Sequence, residues 1–136
     1  LLGGAIQGTI SSIRGNSFWD GNSSPAKLSP YEKGQKGVSM AKNQIICEGG
    51  TIQGEEVTIE VDGTKVRVDI VAEIDGKMTL IEVKNGPHAG FTANQKVVYP
   101  KIMLDKPFVY PVGSNANAIF RVPTNDYNFI IIKFNF

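Results

Sequence analysis

Two Asp-Gly dipeptides constrain this chain more than any other feature. Asp75-Gly76 separates residues 66–74 from residues 77–84, and both runs are dominated by Val, Ile and Thr. Asp62-Gly63 separates residues 55–61 from the first of those runs. Asp-Gly between two β-type runs is a strong hairpin signal, because a type I′ turn needs positive φ at both central residues. Two such turns in succession predict a three-stranded antiparallel meander.

The turns also predict the register. Across the second turn Ile74 faces Lys77, Ala72 faces Thr79, Ile70 faces Ile81 and Asp69 faces Glu82. Across the first, Glu56 faces Asp69, and Glu60 faces Lys65 as a cross-strand ion pair. Opposed residues share a face of the sheet, with Cβ atoms roughly 4.5–5.5 Å apart. Asp69 and Glu82 would therefore repel, and a divalent cation held between them would turn repulsion into attraction. Period-2 alternation adds Lys84 to their face. Val57, Ile59, Val61, Val68, Ile70, Ile81 and Val83 then read as one apolar core face. The other face is polar and adds Glu56, Thr58, Glu60, Lys65 and Arg67 to the triad.

The motif Asp69…Glu82-Val83-Lys84 resembles the PD-(D/E)xK nuclease superfamily, with Val68 in the place of the usual Pro. The resemblance implies an α/β (α+β) fold with a restriction-endonuclease-like core: a helix, the meander, a second helix and further strands. It implies a divalent metal, Mg²⁺ first and Mn²⁺ or Zn²⁺ as alternatives, on Asp69, Glu82 and the backbone carbonyl of Val83. Hard oxygen ligands of this kind suit Mg²⁺. Lys84 would orient the attacking water or stabilise the charge that develops on the phosphorane. Superfamily members often take a further acidic residue from the helix before the sheet, which here points to Glu32. Glu56 is the rival on the meander itself. Several families also carry Gln-x-x-x-Tyr on the helix after the Glu-x-Lys strand, matched here by Gln95 and Tyr99 as substrate-binding residues. Lys33, Lys36 and Lys96 are candidate phosphate contacts, which position a nucleic acid without reading its sequence.

The rest of the chain frames this centre. Residues 1–28 are rich in Gly, Ser and Asn and form a linker-like lead-in, with Phe18 and Trp19 large enough to dock on the domain spanning 29–136. Ser29 and Pro30 start a helix that runs to about residue 46, Ser29 as N-cap and Pro30 at the first position. Tyr31, Val38, Ala41 and Ile45 give it an apolar stripe, weakened by Gly34 and Gly37. Glu32 in its first turn would equally complement the helix dipole. Cys47 reads as a buried small hydrophobe, followed by a turn. Residues 85–90 form a loop in which His88 is a loop residue or, alternatively, a general base. Residues 91–104 form a helix that Pro100 kinks or ends. A short strand at 108–112, with Pro111 marking an edge or an end, precedes a loop at 113–118 and a final strand at 129–136 buried on both faces.

Composition narrows the function classes. One cysteine excludes an internal disulfide and a zinc–cysteine cluster, and one histidine leaves little for a histidine metal site. No apolar run approaches the roughly 18 residues of a membrane span. The net charge of +1 conceals an acidic centre, with nine acidic against three basic groups over residues 47–82, flanked by basic segments. That distribution suits a metal site that handles a polyanion.

The absence of an initiator Met, the lack of an evident signal peptide and the linker-like start suggest a piece of a longer protein. The architecture resembles the C-terminal toxin domain of contact-dependent growth inhibition systems. This implies secretion or cell-surface delivery as part of a larger protein, action in the cytoplasm of the target cell, and a cognate immunity protein. DNA is the expected substrate, with tRNA the alternative of the same fold. A housekeeping repair or restriction-type nuclease and a non-catalytic nucleic-acid-binding module are the other readings.

Overall fold

The computed structural model describes residues 8–10, 28–86 and 89–135. His88, Phe18, Trp19 and most of the lead-in lie outside the described residues. The elements run β1 (Gly8–Ile10), α1 (Pro30–Cys47), β2 (Thr51–Val61), β3 (Thr64–Ile74), β4 (Lys77–Asn85), α2 (Ala93–Asp105), β5 (Tyr110–Val112), α3 (Gly113–Asn117) and β6 (Asn128–Phe134). The six strands form one open sheet in the order β1-β6-β4-β3-β2-β5. The fold is mixed α+β: a helix, a three-stranded antiparallel meander, a second helix, then further strands. Among the described residues no helix is long and apolar enough to cross a membrane.

Both Asp-Gly turns form as expected. Asp62, Gly63, Asp75 and Gly76 have φ of 50°, 82°, 55° and 78°. The tight turns fix the pairing close to them: Val61 opposes Thr64 and Val57 opposes Val68, while Ile74 opposes Lys77 and Ile70 opposes Ile81. Glu60 opposes Lys65, yet the two form no ion pair among the described residues. Long exposed side chains gain little from such a pair and lose freedom in making it.

The single apolar face does not form. Between the pairs Val57–Val68 and Glu55–Ile70 the ladder passes over Glu56 and Asp69, and Glu56 takes a left-handed φ of 52°. One residue on each strand is thus removed from the alternation, and side chains beyond that point change sides. Val57, Ile59, Val61 and Val68 pack with Val71 and Leu80 against Val98, Tyr99 and Ile102 of α2. Ile70, Ile81 and Val83 pack with Ile74 and Ile132 against Met40, Ala41 and Ile45 of α1. Both faces of the sheet are therefore covered, one by α1 and the other by α2 together with Ala116 of the short α3. Fully burying an aliphatic side chain contributes roughly 1.5–3 kcal/mol, so each cluster is enough to seat its helix.

Other expectations are corrected locally. Helix α1 begins at Pro30 behind Ser29 as expected, but Tyr31 is exposed and Met40 takes its place in the stripe. Cys47 ends α1 and is exposed, because it follows Ile45 by two positions and turns away from the core. Strand β2 starts at Thr51 rather than residue 55. Pro100 lies inside α2 on its exposed side, where the packing of Val98, Tyr99 and Ile102 carries the helix past it. Residues 113–117 form the short helix α3 instead of a loop. Strand β6 is buried except at Lys133 and β5 with Pro111 is an edge strand, both in line with the sequence, and β6 pairs parallel to β4.

Candidate active site

The β3–β4 ladder closes with Ile70 opposite Ile81. Beyond it the strands part, and a side chain replaces the backbone partner: Asp69 Oδ2 accepts the Val83 N–H at 2.8 Å. The divergence converts an expected cross-strand pair on an open polar face into a partly enclosed cluster. Glu82, one residue on, points to the α2 side and is only 3% exposed.

Every oxygen of Glu82 is held. Oε1 accepts from the Tyr99 hydroxyl at 2.7 Å. Oε2 accepts from Gln95 Nε2 at 3.2 Å and from Lys84 Nζ at 3.1 Å. Lys84 Nζ also donates to the Gly90 carbonyl at 2.7 Å and to Gln95 Oε1 at 3.3 Å, and lies 4.9 Å from the centre of the Phe91 ring. Its three protons thus have three acceptors, with an aromatic face beside them.

The start of α2 explains why Gln95 can do this. Thr92 is the N-cap, and its Oγ1 accepts the Gln95 N–H at 3.1 Å. Gln95 Oε1 returns the bond by accepting the Thr92 N–H at 3.0 Å, which completes a capping box. With Oε1 taking both Thr92 N–H and the Lys84 ammonium, the amide nitrogen is left to face Glu82. Tyr99 follows one turn later on the same side of the helix.

Both carboxyls are held above their ordinary range. Burial holds the Asp69 carboxyl above its ordinary range, opposed by the Val83 N–H and the charges of Lys84 and Arg67, while Glu56 adds to the rise. Glu82 is raised first by burial and then by the charge of Asp69, against the Tyr99 hydrogen bond and Lys84. Burial, followed by the Glu82 charge, pushes the Tyr99 hydroxyl up, so it remains a donor.

The structure therefore brings together Asp69, Glu82, Lys84, Gln95 and Tyr99. Gln95 and Tyr99, expected to reach for substrate, are buried and spend their donors on Glu82. Val83 spends its N–H on Asp69. Of the rival acids, Glu56 lies close enough for Asp69 to feel its charge. Glu32 instead closes the capping box of α1, where its Oε1 accepts the Ser29 N–H at 2.9 Å and this bond lowers its pKa. Lys33 lines a cleft of about 530 Å³ together with Lys84, and its carbonyl accepts from Asn85 Nδ2 at 2.7 Å. Lys36 is half-buried on α1, and Lys96 is exposed on α2 beside a second cavity.

Sequence reasoning missed Thr92 and Lys133. Thr92 was legible, since Thr-x-x-Gln is a capping-box pattern. Lys133 was not: it stands in register with Lys84 only because β6 pairs parallel to β4.

Among the described residues no three His, Cys, Asp or Glu side chains converge as a ready metal cage. The donors present still fit a hard cation. Asp69 and Glu82 are two partly desolvated carboxylates whose mutual repulsion a divalent charge would relieve. Mg²⁺ is commonly bound by one or two carboxylates, with water and phosphate oxygens completing its shell. Comparison with protein-family models, with curated proteins and with solved structures finds no match.

Proposed function

We propose that this chain is a metal-dependent nuclease that hydrolyses phosphodiester bonds, DNA before tRNA. The observation that supports it most is the convergence of Asp69 and Glu82, both with raised pKa, beside Lys84, which itself lines a cleft. Asp69 and Glu82 would hold a divalent cation, Mg²⁺ first, whose bound state supplies Lewis-acid polarisation of the phosphodiester. Gln95 and Tyr99 keep Glu82 oriented. Lys84 carries the positive charge that meets the developing negative charge on phosphorus, exchanging the Gly90 carbonyl for a phosphate oxygen. Lys33 lines the same cleft as Lys84 and would steer the polyanion.

The resemblance of the lead-in to delivered toxin domains extends this reading to an antibacterial effector, held in check by an immunity protein and acting in the cytoplasm of its target. The test is cleavage of plasmid DNA and of total tRNA by purified protein in Mg²⁺, Mn²⁺ or Zn²⁺, beside Asp69→Ala. Metal-dependent cutting that disappears in the variant is expected, as is growth arrest of a bacterial host expressing the wild-type chain alone. Absence of cutting in every metal would leave a nucleic-acid-binding module as the better reading.

A further inference from the structure

The α2 side of the sheet holds a second cavity, of about 350 Å³, lined in part by Gln95 and Tyr99, the two side chains that hold Glu82. Phe91, Tyr99, Met103 and Ile131 form its apolar wall, and Lys96 and Lys133 line it as cations. Tyr99 is shared: its hydroxyl holds Glu82 while its ring faces the cavity. Phe91 is shared too, since it flanks Lys84 and meets Tyr99 edge to face at 5.9 Å.

Lys133 is the informative member. It sits in register with Lys84 on the neighbouring parallel strand, about 4.8 Å across the sheet. Lys84 is neutralised by Glu82, whereas Lys133 is exposed and makes no ion pair among the described residues. Two cations, Lys96 and Lys133, on an apolar hollow have the form of a site for a flat apolar group that carries an anion. A nucleotide answers that description, with its base taken by the hydrophobic wall and its phosphate by the lysines. At 350 Å³ the cavity is near the lower end of the roughly 300–1,000 Å³ of small-ligand pockets, so it takes one base and not a base pair.

We propose that this cavity is a subsite for a single unpaired nucleotide next to the cut, with Lys133 and Lys96 on its phosphates. The inference rests on the nuclease reading and sharpens it: the strand that is cut is single-stranded, or splayed open, at the site.

The test is fluorescence anisotropy with the full chain carrying Asp69→Asn to suppress cleavage, in Mg²⁺. Three labelled probes of about 12 nucleotides, within the span of common single-strand sites, are compared: single-stranded DNA, the same sequence as duplex, and single-stranded RNA. The single strands are expected to bind about tenfold more tightly than the duplex, as one stacked base would give. The tighter of the two single strands identifies the sugar preferred. Lys133→Gln should weaken single-strand binding and lower its salt slope by about one. Met103→Trp, which fills the cavity, should erase the preference for single strands and leave duplex binding in place. Equal binding of duplex and single strand, or indifference to both substitutions in folded protein, would overturn the subsite while leaving the nuclease reading intact. Failure to bind any of the three probes would overturn both.

Discussion

The two long helices open with the same device and put it to different uses. Ser29 and Glu32 close a capping box on α1, and Thr92 and Gln95 close one on α2. Glu32 is exposed, and its bonds end at Ser29. Gln95 is buried, and its amide continues to Glu82 and Lys84. The difference lies in what stands behind the third residue of each helix. At α1 it is solvent, where a carboxylate also complements the helix dipole. At α2 it is a buried carboxylate, where only a group that both accepts and donates satisfies Thr92 and Glu82 together. A local motif can thus be the same in both places, while packing decides whether it belongs to a site.

Exchanging the two residues tests this most severely. Gln95→Glu keeps an acceptor for the Thr92 N–H but removes the donor to Glu82 and adds a negative charge. If the chain is the nuclease proposed, its turnover is expected to fall roughly 10- to 100-fold, the scale of one hydrogen bond to a charged group. Glu32→Gln should leave turnover unchanged. Cleavage rates on one substrate, measured beside melting curves, check both, and equal losses from the two swaps would break the comparison.

A second experiment asks what the buried charges cost the fold. Asp69 and Glu82 have raised pKa values in the folded, metal-free chain, so the folded chain holds their protons more tightly than the unfolded one. Their contribution to stability is complete below the unfolded carboxyl values, about 3.9 for Asp and 4.3 for Glu, and is lost as pH rises through the folded values. Asp69→Asn keeps an acceptor for the Val83 N–H and removes one charge. As pH rises above about 4, metal-free wild type should lose melting temperature more steeply than the variant, and the variant should be the more stable at neutral pH. Mg²⁺ should raise the melting temperature of wild type and not of Asp69→Asn. Parallel pH profiles would mean that the two carboxyls are less coupled than their geometry implies.

The smallest expected effect is the most discriminating. Ser29→Ala and Thr92→Ala each remove one N-cap and should cost about 1 kcal/mol, read from denaturant midpoints. Only Thr92→Ala should also lower turnover, because the Gln95 amide loses part of what orients it. Matched losses of stability with unmatched losses of turnover would tie the α2 box to the site.

Much of this molecule follows from sequence alone. The two Asp-Gly turns dictate the register around them, because positive φ at two adjacent residues leaves the flanking strands little choice of pairing. Ser29, Pro30 and Glu32 determine where α1 begins, and Pro111 marks an edge strand, since each acts through its own backbone. The triad of Asp69, Glu82 and Lys84 was legible for the same reason, being a few residues from a tight turn. Tertiary structure decided the rest. The side reached by residues of β2 and β3 depends on the break at Glu56 and Asp69, where a left-handed Glu56 interrupts an alternation that sequence counting assumes. The exposure of Cys47 and the inward turn of Gln95 and Tyr99 depend on which helix covers which face. Lys133 comes beside Lys84 through a parallel pairing of strands far apart in the chain, and no local rule specifies such a pairing.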